Sequence, residues 1–243
     1  MQEQQKTPTT SDVSVVYVYK SGGDTELRFS LRSLKNLPHR DVFIVGQAPK
    51  WVRNVTVIPW QQTNEPYSDT YYKIMAVARD KRVADNFVLF NDDFFLLKPV
   101  KEIQPRYLKA IGLWKEQYHN QGEYWKKIVR TEKLVGKDAK AYELHYPFPF
   151  NKANLIAYHG KYQQPRNAML RTLYAHEFGI KGTQSRDYKA VTPKNFIKLL
   201  ATNPPFISSS NVCAANKDWV KAMTALFQEP SPYELSTDST SIL

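Results

Sequence analysis

The sequence predicts an α/β domain: a mostly parallel sheet with helices on both faces and an aromatic-rich insert over the sheet's ligand edge. Three observations lead there. Residues 12–100 alternate β-branched apolar runs with segments of helical period. Residues 101–205 lose that rhythm and are rich in Tyr, Trp, His, Lys and Pro. The 243 residues, 42% hydrophobic and 23% charged, suffice for one large core.

Val13-Ser-Val-Val-Tyr-Val-Tyr19 reads as a buried strand, and Ser21-Gly-Gly-Asp24 as the turn after it. Asp24 or Thr25 is placed to cap a helix, on which Leu27, Leu31 and Leu34 form one face until Pro38 ends it. Asp41-Val-Phe-Ile-Val-Gly46 and Val55-Thr-Val-Ile-Pro59 are further strands. Ser68 or Asp69 caps a helix through about Arg82, with Tyr72, Met75, Ala76 and Arg79 at helical spacing. Asn86-Phe-Val-Leu-Phe-Asn91 is the fourth strand, and residues 217–228 form a closing amphipathic helix stopped at Pro230. The chain thus divides into a disordered lead at 1–11, a single domain at 12–234 and a frayed tail at 235–243. Within the domain, 12–100 is the ligand-binding core, 101–205 the insert and 206–234 a closing segment.

Composition excludes several classes. A single cysteine, Cys213, rules out an intrachain disulfide or a zinc–thiolate cluster. No run approaches the roughly 18 apolar residues of a membrane span, and Met1 to Asp12 has no apolar signal core, so a soluble cytoplasmic protein is expected. Lys and Arg number 34 against 23 Asp and Glu, a net charge of +11 that favours polyanionic partners or a simply basic surface. Neither a Walker loop nor a Gly-x-Gly-x-x-Gly run occurs, and Ser208-Ser-Ser210 lacks the frame of a nucleophile elbow.

The sharpest local feature is Asn91-Asp92-Asp93 after an apolar strand. Adjacent carboxylates at a strand end repel unless a cation or ligand uses them, and this is where α/β sheets bind ligands. A hard divalent cation, Mn²⁺ or Mg²⁺, fits; a solvated acidic turn is the alternative. Arg28 and Arg32 share one helix side, suited to a phosphate or to plain solvation. His145, in Glu143-Leu-His-Tyr-Pro-Phe-Pro-Phe150, lies on a loop stiffened by two prolines, where it is a candidate base or a packed imidazole. Arg171, His176, Glu177 and Arg186 form a second polar group.

These pieces together resemble the Stealth group of sugar-phosphate transferases, which includes capsular polysaccharide phosphotransferases and the N-acetylglucosamine-1-phosphotransferase catalytic subunit. The resemblance runs through Val15–Tyr19 with Gly22-Gly-Asp24, then Glu26-Leu-Arg-Phe-Ser-Leu-Arg-Ser-Leu34, Val42–Trp51 and Phe90-Asn-Asp-Asp-Phe94. It continues in His145-Tyr-Pro147 with Glu177, Thr183 and Arg186, and in Phe227–Glu234. It departs at Ser210-Asn211-Val212, where the group has an Asn-Asp pair.

The resemblance implies a nucleotide-sugar-binding core of the glycosyltransferase-A kind, a divalent cation and a donor such as a UDP-sugar. By position, Asp92 and Asp93 would hold the metal, and Arg28 and Arg32 would meet donor phosphates. His145 would be the base, Arg186 a charge stabiliser, and Asp93 would also serve catalysis. The expected activity is transfer of a sugar or sugar 1-phosphate to an acceptor hydroxyl. Small size and basic charge point to a virus-type member, active in host cytoplasm, whose acceptor is a polyanion such as hydroxymethylated DNA. The competing classes are a non-catalytic nucleic-acid or polysaccharide binding module on a degenerate transferase fold, and a metal-dependent phosphohydrolase.

Overall fold

The computed structural model describes residues 12–63, 66–118, 122–162 and 167–235. The expected lead at 1–11 and tail residues 236–243 lie outside the described residues. In chain order the first half holds β1 (Ser14–Val18), α1 (Asp24–Ser33), β2 (Val42–Val45), β3 (Thr56–Ile58), α2 (Pro66–Arg79), β4 (Asn86–Asn91) and β5 (Phe94–Leu96). The second half holds β6 (Arg106–Tyr107), α3 (Ile111–Gln117), α4 (Gly122–Val135), β7 (Phe148–Asn151), α5 (Lys152–Lys161), α6 (Leu170–Glu177) and β8 (Thr183–Gln184). It ends with β9 (Lys189–Ala190), α7 (Pro193–Leu200), β10 (Phe206–Ser209), α8 (Asn211–Ala214) and α9 (Lys217–Leu226).

The main sheet has the order β3-β2-β1-β4-β7, parallel except for β7, which runs antiparallel to β4 at the edge. Strand alternation sends side chains to two faces. Val16, Phe43, Val45, Phe87 and Leu89 pack against α2, α5 and α6. Val15, Tyr17, Ile44, Val88 and Phe90 pack against Leu27, Leu31 and Leu34. A second sheet, β5-β10-β9, shares a core with Phe29 of α1, Phe196 of α7, and Trp219 and Met223 of α9. The expected mostly parallel sheet covered on both faces is therefore what forms.

Four local expectations need correction. Residues 101–205 are not a cap laid over a finished core: β7 completes the main sheet and β9 joins the second. Pro147 and Pro149 suggest a loop, but Pro149 occupies an edge strand, where a missing N–H costs no ladder bond. Asp24 does not cap α1; its carboxylate accepts from the Tyr19 hydroxyl and from Trp51 Nε1 at 3.2 Å, and Gly23 takes the N-cap position. Asp69 lies inside α2 and accepts from Thr63 N at 2.7 Å and Thr63 Oγ1 at 2.9 Å, tying down the preceding loop.

The largest correction concerns Arg28 and Arg32. They do share a helix side, but that side is buried, and both meet Glu234, which is 1% exposed. Arg28 Nη1 reaches Glu234 Oε2 at 2.9 Å, and Arg32 Nε and Nη2 reach Oε1 and Oε2 at 2.8 and 2.7 Å. Arg32 Nη1 also donates to Phe227 O at 2.9 Å, and the Arg28 guanidinium stacks 4.2 Å from the Trp51 ring. Burial alone would raise the Glu234 carboxyl, but Arg32 and the Ser231 N–H overrule it and hold it below the usual carboxylate range. The pair pins the closing segment to α1 and does not offer itself to a donor phosphate.

Glu234→Gln keeps the shape and removes the counter-charge. Stranding two buried guanidiniums is expected to cost about 3–5 kcal/mol, measured by urea denaturation. A loss below about 1 kcal/mol would show that the arginines find other acceptors.

Candidate active site

The parallel pairing of β1 with β4 sets Val18 beside Asn91, so the loop leaving β1 and the turn leaving β4 emerge next to each other. A cleft of about 580 Å³ opens there. Its lining comes from three short stretches: Lys20–Gly23 with Thr25 and Glu26, Asn91–Asp93, and Asn211 with Ala214 and Ala215. Gly22, at φ +106°, makes a turn that L side chains rarely adopt. A Cβ on Gly23 would collide with the Asp92 carboxylate, so the second glycine lets the backbone approach the acid pair.

The acids are crowded. Burial, then the charges of Asp93 and Glu26, push Asp92 from an ordinary value near 3.8 up to about 8. Burial also raises Asp93, against the opposing charges of His145, Lys189 and Arg171. It raises Glu26 as well, against a 2.7 Å bond from Ser209 Oγ and the charge of Lys189. Ser209 N donates to Asp93 O at 3.2 Å, so β10 fixes both Glu26 and the acid turn. Asp93 Oδ1 is buried with no partner.

Among the described residues, no three His, Cys, Asp or Glu side chains are grouped to hold a metal ion. The cleft nevertheless suits a hard cation of the Mg²⁺ or Mn²⁺ kind. Such ions take oxygen donors, often one or two carboxylates, with substrate phosphates and waters completing the shell. An orphaned buried carboxylate oxygen on Asp93 is the donor such a site needs.

The other expected residues divide. His145 stands behind Asp93, with Nδ1 2.9 Å from Asp187 Oδ2 and Nε2 2.8 Å from Lys189 Nζ. Buried Arg171 donates to Leu144 O and Tyr146 O, both at 2.7 Å, and so holds the backbone on either side of His145. Arg186 is exposed, bonds Thr202 Oγ1 at 2.8 Å and lies 4.5 Å over Tyr188; it does not line the cleft. Glu177 pairs with Lys161 at 2.6 Å, so the second polar group seen in the sequence disperses. Sequence reasoning missed Glu26 as a cleft acid, along with Lys20, Asp187 and Lys189. Only Glu26 carries a local signal, as an acid one residue before the leucine face.

These features define a class: an α/β domain with an acidic, glycine-walled cleft at the carboxyl edge of a mostly parallel sheet. No family model matches the chain, and no curated protein matches it. Among solved structures it is similar to galactosyltransferase LgtC in complex with donor and acceptor sugar analogs, at 10% identity, over 95% of this chain and 100% of that one, with a TM-score of 0.48. At that level, substrate and mechanism are left to the cleft itself. Among the described residues, no helix is long and apolar enough to cross a membrane.

The raised Asp92 value has a sign that can be tested. Between about 4 and about 8 the folded protein keeps a proton the unfolded chain has released, so the metal-free protein loses stability as pH rises through that window. Asp92→Asn removes the titration. The variant is expected to melt above the metal-free wild type at pH 8 and to converge with it at acid pH, read by scanning calorimetry. A gap that stays constant with pH would refute the crowding.

Proposed function

We propose that the protein is a metal-dependent nucleotide-sugar transferase whose cleft binds the donor diphosphate, with a UDP-sugar as the expected donor type. The observation that carries this reading is the Asp92–Asp93 pair, desolvated beside Glu26 with one carboxylate oxygen unpartnered. Two such acids on a rigid turn are unfavourable without a cation. Asp92 and Asp93 would hold Mn²⁺ or Mg²⁺, which when bound neutralises charge on the diphosphate and the leaving nucleotide.

The chain's own residues supply the rest. The Gly22–Gly23 loop admits the diphosphate close to the backbone, and Lys20 adds a cation at the cleft mouth. Glu26 is anchored by Ser209 and keeps the acid turn in place. His145, whose charge acts on Asp93, is the candidate base for an acceptor hydroxyl. The product is a glycoside if the hydroxyl attacks the anomeric carbon, and a sugar phosphodiester if it attacks phosphorus. The resemblance to the Stealth group supports the same reading through Asn91-Asp-Asp93, but not through the buried Arg28 and Arg32. A net charge of +11 favours a polyanionic acceptor, for which hydroxymethylated DNA in a virus-infected cytoplasm is one case.

The locking of Arg28 and Arg32 favours one competing reading, a binding module without turnover. A thermal-shift panel of nucleotide sugars with and without Mn²⁺ or Mg²⁺ separates the two. A donor at 100 times its Kd stabilises by about 2.7 kcal/mol. One donor is expected to raise the Tm only with metal present, and Asp92→Asn is expected to remain folded while losing both that shift and turnover. Salt-sensitive DNA or polysaccharide binding with no donor shift would establish the binding module instead.

A further inference from the structure

Beside the cleft, the helices of the second sheet carry aliphatic side chains into solvent. Val191, Ile197 and Val212 are 56%, 50% and 66% exposed. Hydrogen bonds make two of them neighbours. Ser210 Oγ donates to Val191 O at 3.0 Å, and Ser210 N and Cys213 Sγ reach Ala190 O at 3.0 and 3.4 Å. Residues 190–191 are thus stapled to the strand-to-helix turn that carries Val212. On α7, a rotation of about 100° per residue sets Ile197 beside Lys194 and Lys198, turned away from buried Phe196.

The patch is ringed by positive charge. From Ala190 to Leu226 the chain holds Lys194, Lys198, Lys217 and Lys221 against one acid, Asp218. All four lysines are exposed, and among the described residues none is in an ion pair. Lys217 and Lys221 lie on α9 opposite its buried Trp219 and Met223. α9 in turn packs on α7, where the Phe196 and Trp219 rings are 6.1 Å apart.

Aliphatic groups among unpaired lysines suit an anionic bilayer: the apolar side chains enter the headgroup boundary while the ammonium groups meet lipid phosphates. Other occupants fit less well. A nucleic acid would use the lysines but leave the aliphatic side chains without a contact, and stacking on bases needs exposed rings. Among the described residues no Phe, Tyr or Trp is exposed. A second copy of the same face would set lysines against lysines.

We propose that the α7–α8 face docks the protein peripherally on an anionic membrane, with Val191, Ile197 and Val212 entering the lipid boundary and Lys194 and Lys198 meeting the headgroups. Val212 follows Asn211, which lines the cleft with Ala214 and Ala215, so docking holds the cleft mouth at the lipid surface. The docking itself does not need the transferase reading. One consequence rests on that reading: the acceptor hydroxyl is carried by a membrane lipid.

Cosedimentation of the full chain with vesicles tests the docking, in the absence of metal and donor. The vesicles are phosphatidylcholine alone and an equal mixture of phosphatidylcholine and phosphatidylglycerol. The protein is expected to pellet with the anionic vesicles only. Lys194→Gln combined with Lys198→Gln is expected to weaken that binding about 25-fold, at roughly fivefold per lysine. Val191→Asn combined with Val212→Asn is expected to weaken it by about fivefold or more. Both pairs change exposed side chains, so the Tm is expected to stay at the wild-type value.

Equal pelleting with neutral vesicles, or none with anionic ones, would overturn the proposal. So would wild-type affinity in the valine pair, which would mean adsorption by charge without insertion. Duplex DNA bound more tightly than the anionic vesicles, with the same dependence on the lysines, would assign the face to nucleic acid instead. An inactive protein that pellets loses the transferase reading and keeps the docking; an active protein that does not pellet loses the docking alone.

Discussion

Everything at the site depends on two parallel strands ending side by side. Because Val18 is in register with Asn91, the β1 loop and the β4 turn must share one small volume, and that volume holds Glu26, Asp92 and Asp93. The crowding cannot relax outward: Asp93 is tied through its carbonyl to Ser209, and Ser209 is tied through its hydroxyl to Glu26. The fold answers with cations placed behind the acids, in Lys189 and Arg171, and leaves the front open to whatever positive charge a ligand brings. The cleft is in this sense half of an ionic structure.

The second sheet and the closing segment serve that arrangement from outside. β10 carries Ser208 and Ser209 between the acid turn and β9, so the same strand that braces Asp93 also sets Lys189 in place. α1 is braced in turn by Glu234, which accepts from both of its arginines. One helix thus bears a cleft acid near its start and a buried ionic lock along its buried side. A chain segment far from the cleft holds the orientation of a residue inside it.

What the sequence reveals follows from the range of each signal. The strands are legible because β-branched and aromatic runs bury on both faces of a parallel sheet, and Val15, Val16, Phe43 and Phe90 do so here. Asn91-Asp-Asp93 is legible because charge directly after an apolar strand is unusual wherever it occurs. The shared side of Arg28 and Arg32 is also legible, but their partner lies 202 residues beyond Arg32, and no local pattern announces it. β7 is hidden by Pro149 and by Pro147 just before it, which read as a loop until an edge position excuses the missing N–H. Asp187 and Lys189 gain meaning only from strand pairing and from His145, 42 and 44 residues away.

The clamp at Glu234 also sets an order of events. Long-range contacts are made late, after the chain that separates them has been ordered. While the protein is being synthesised, α1 is complete some two hundred residues before its counter-ion exists, since Arg32 and Glu234 stand 202 residues apart. Until then the helix carries two guanidiniums whose burial is not yet favourable, and the side they occupy stays wet. The two guanidiniums of α1 thus have no buried counter-ion until Glu234 emerges, and only then is the drying of that side of the helix favourable.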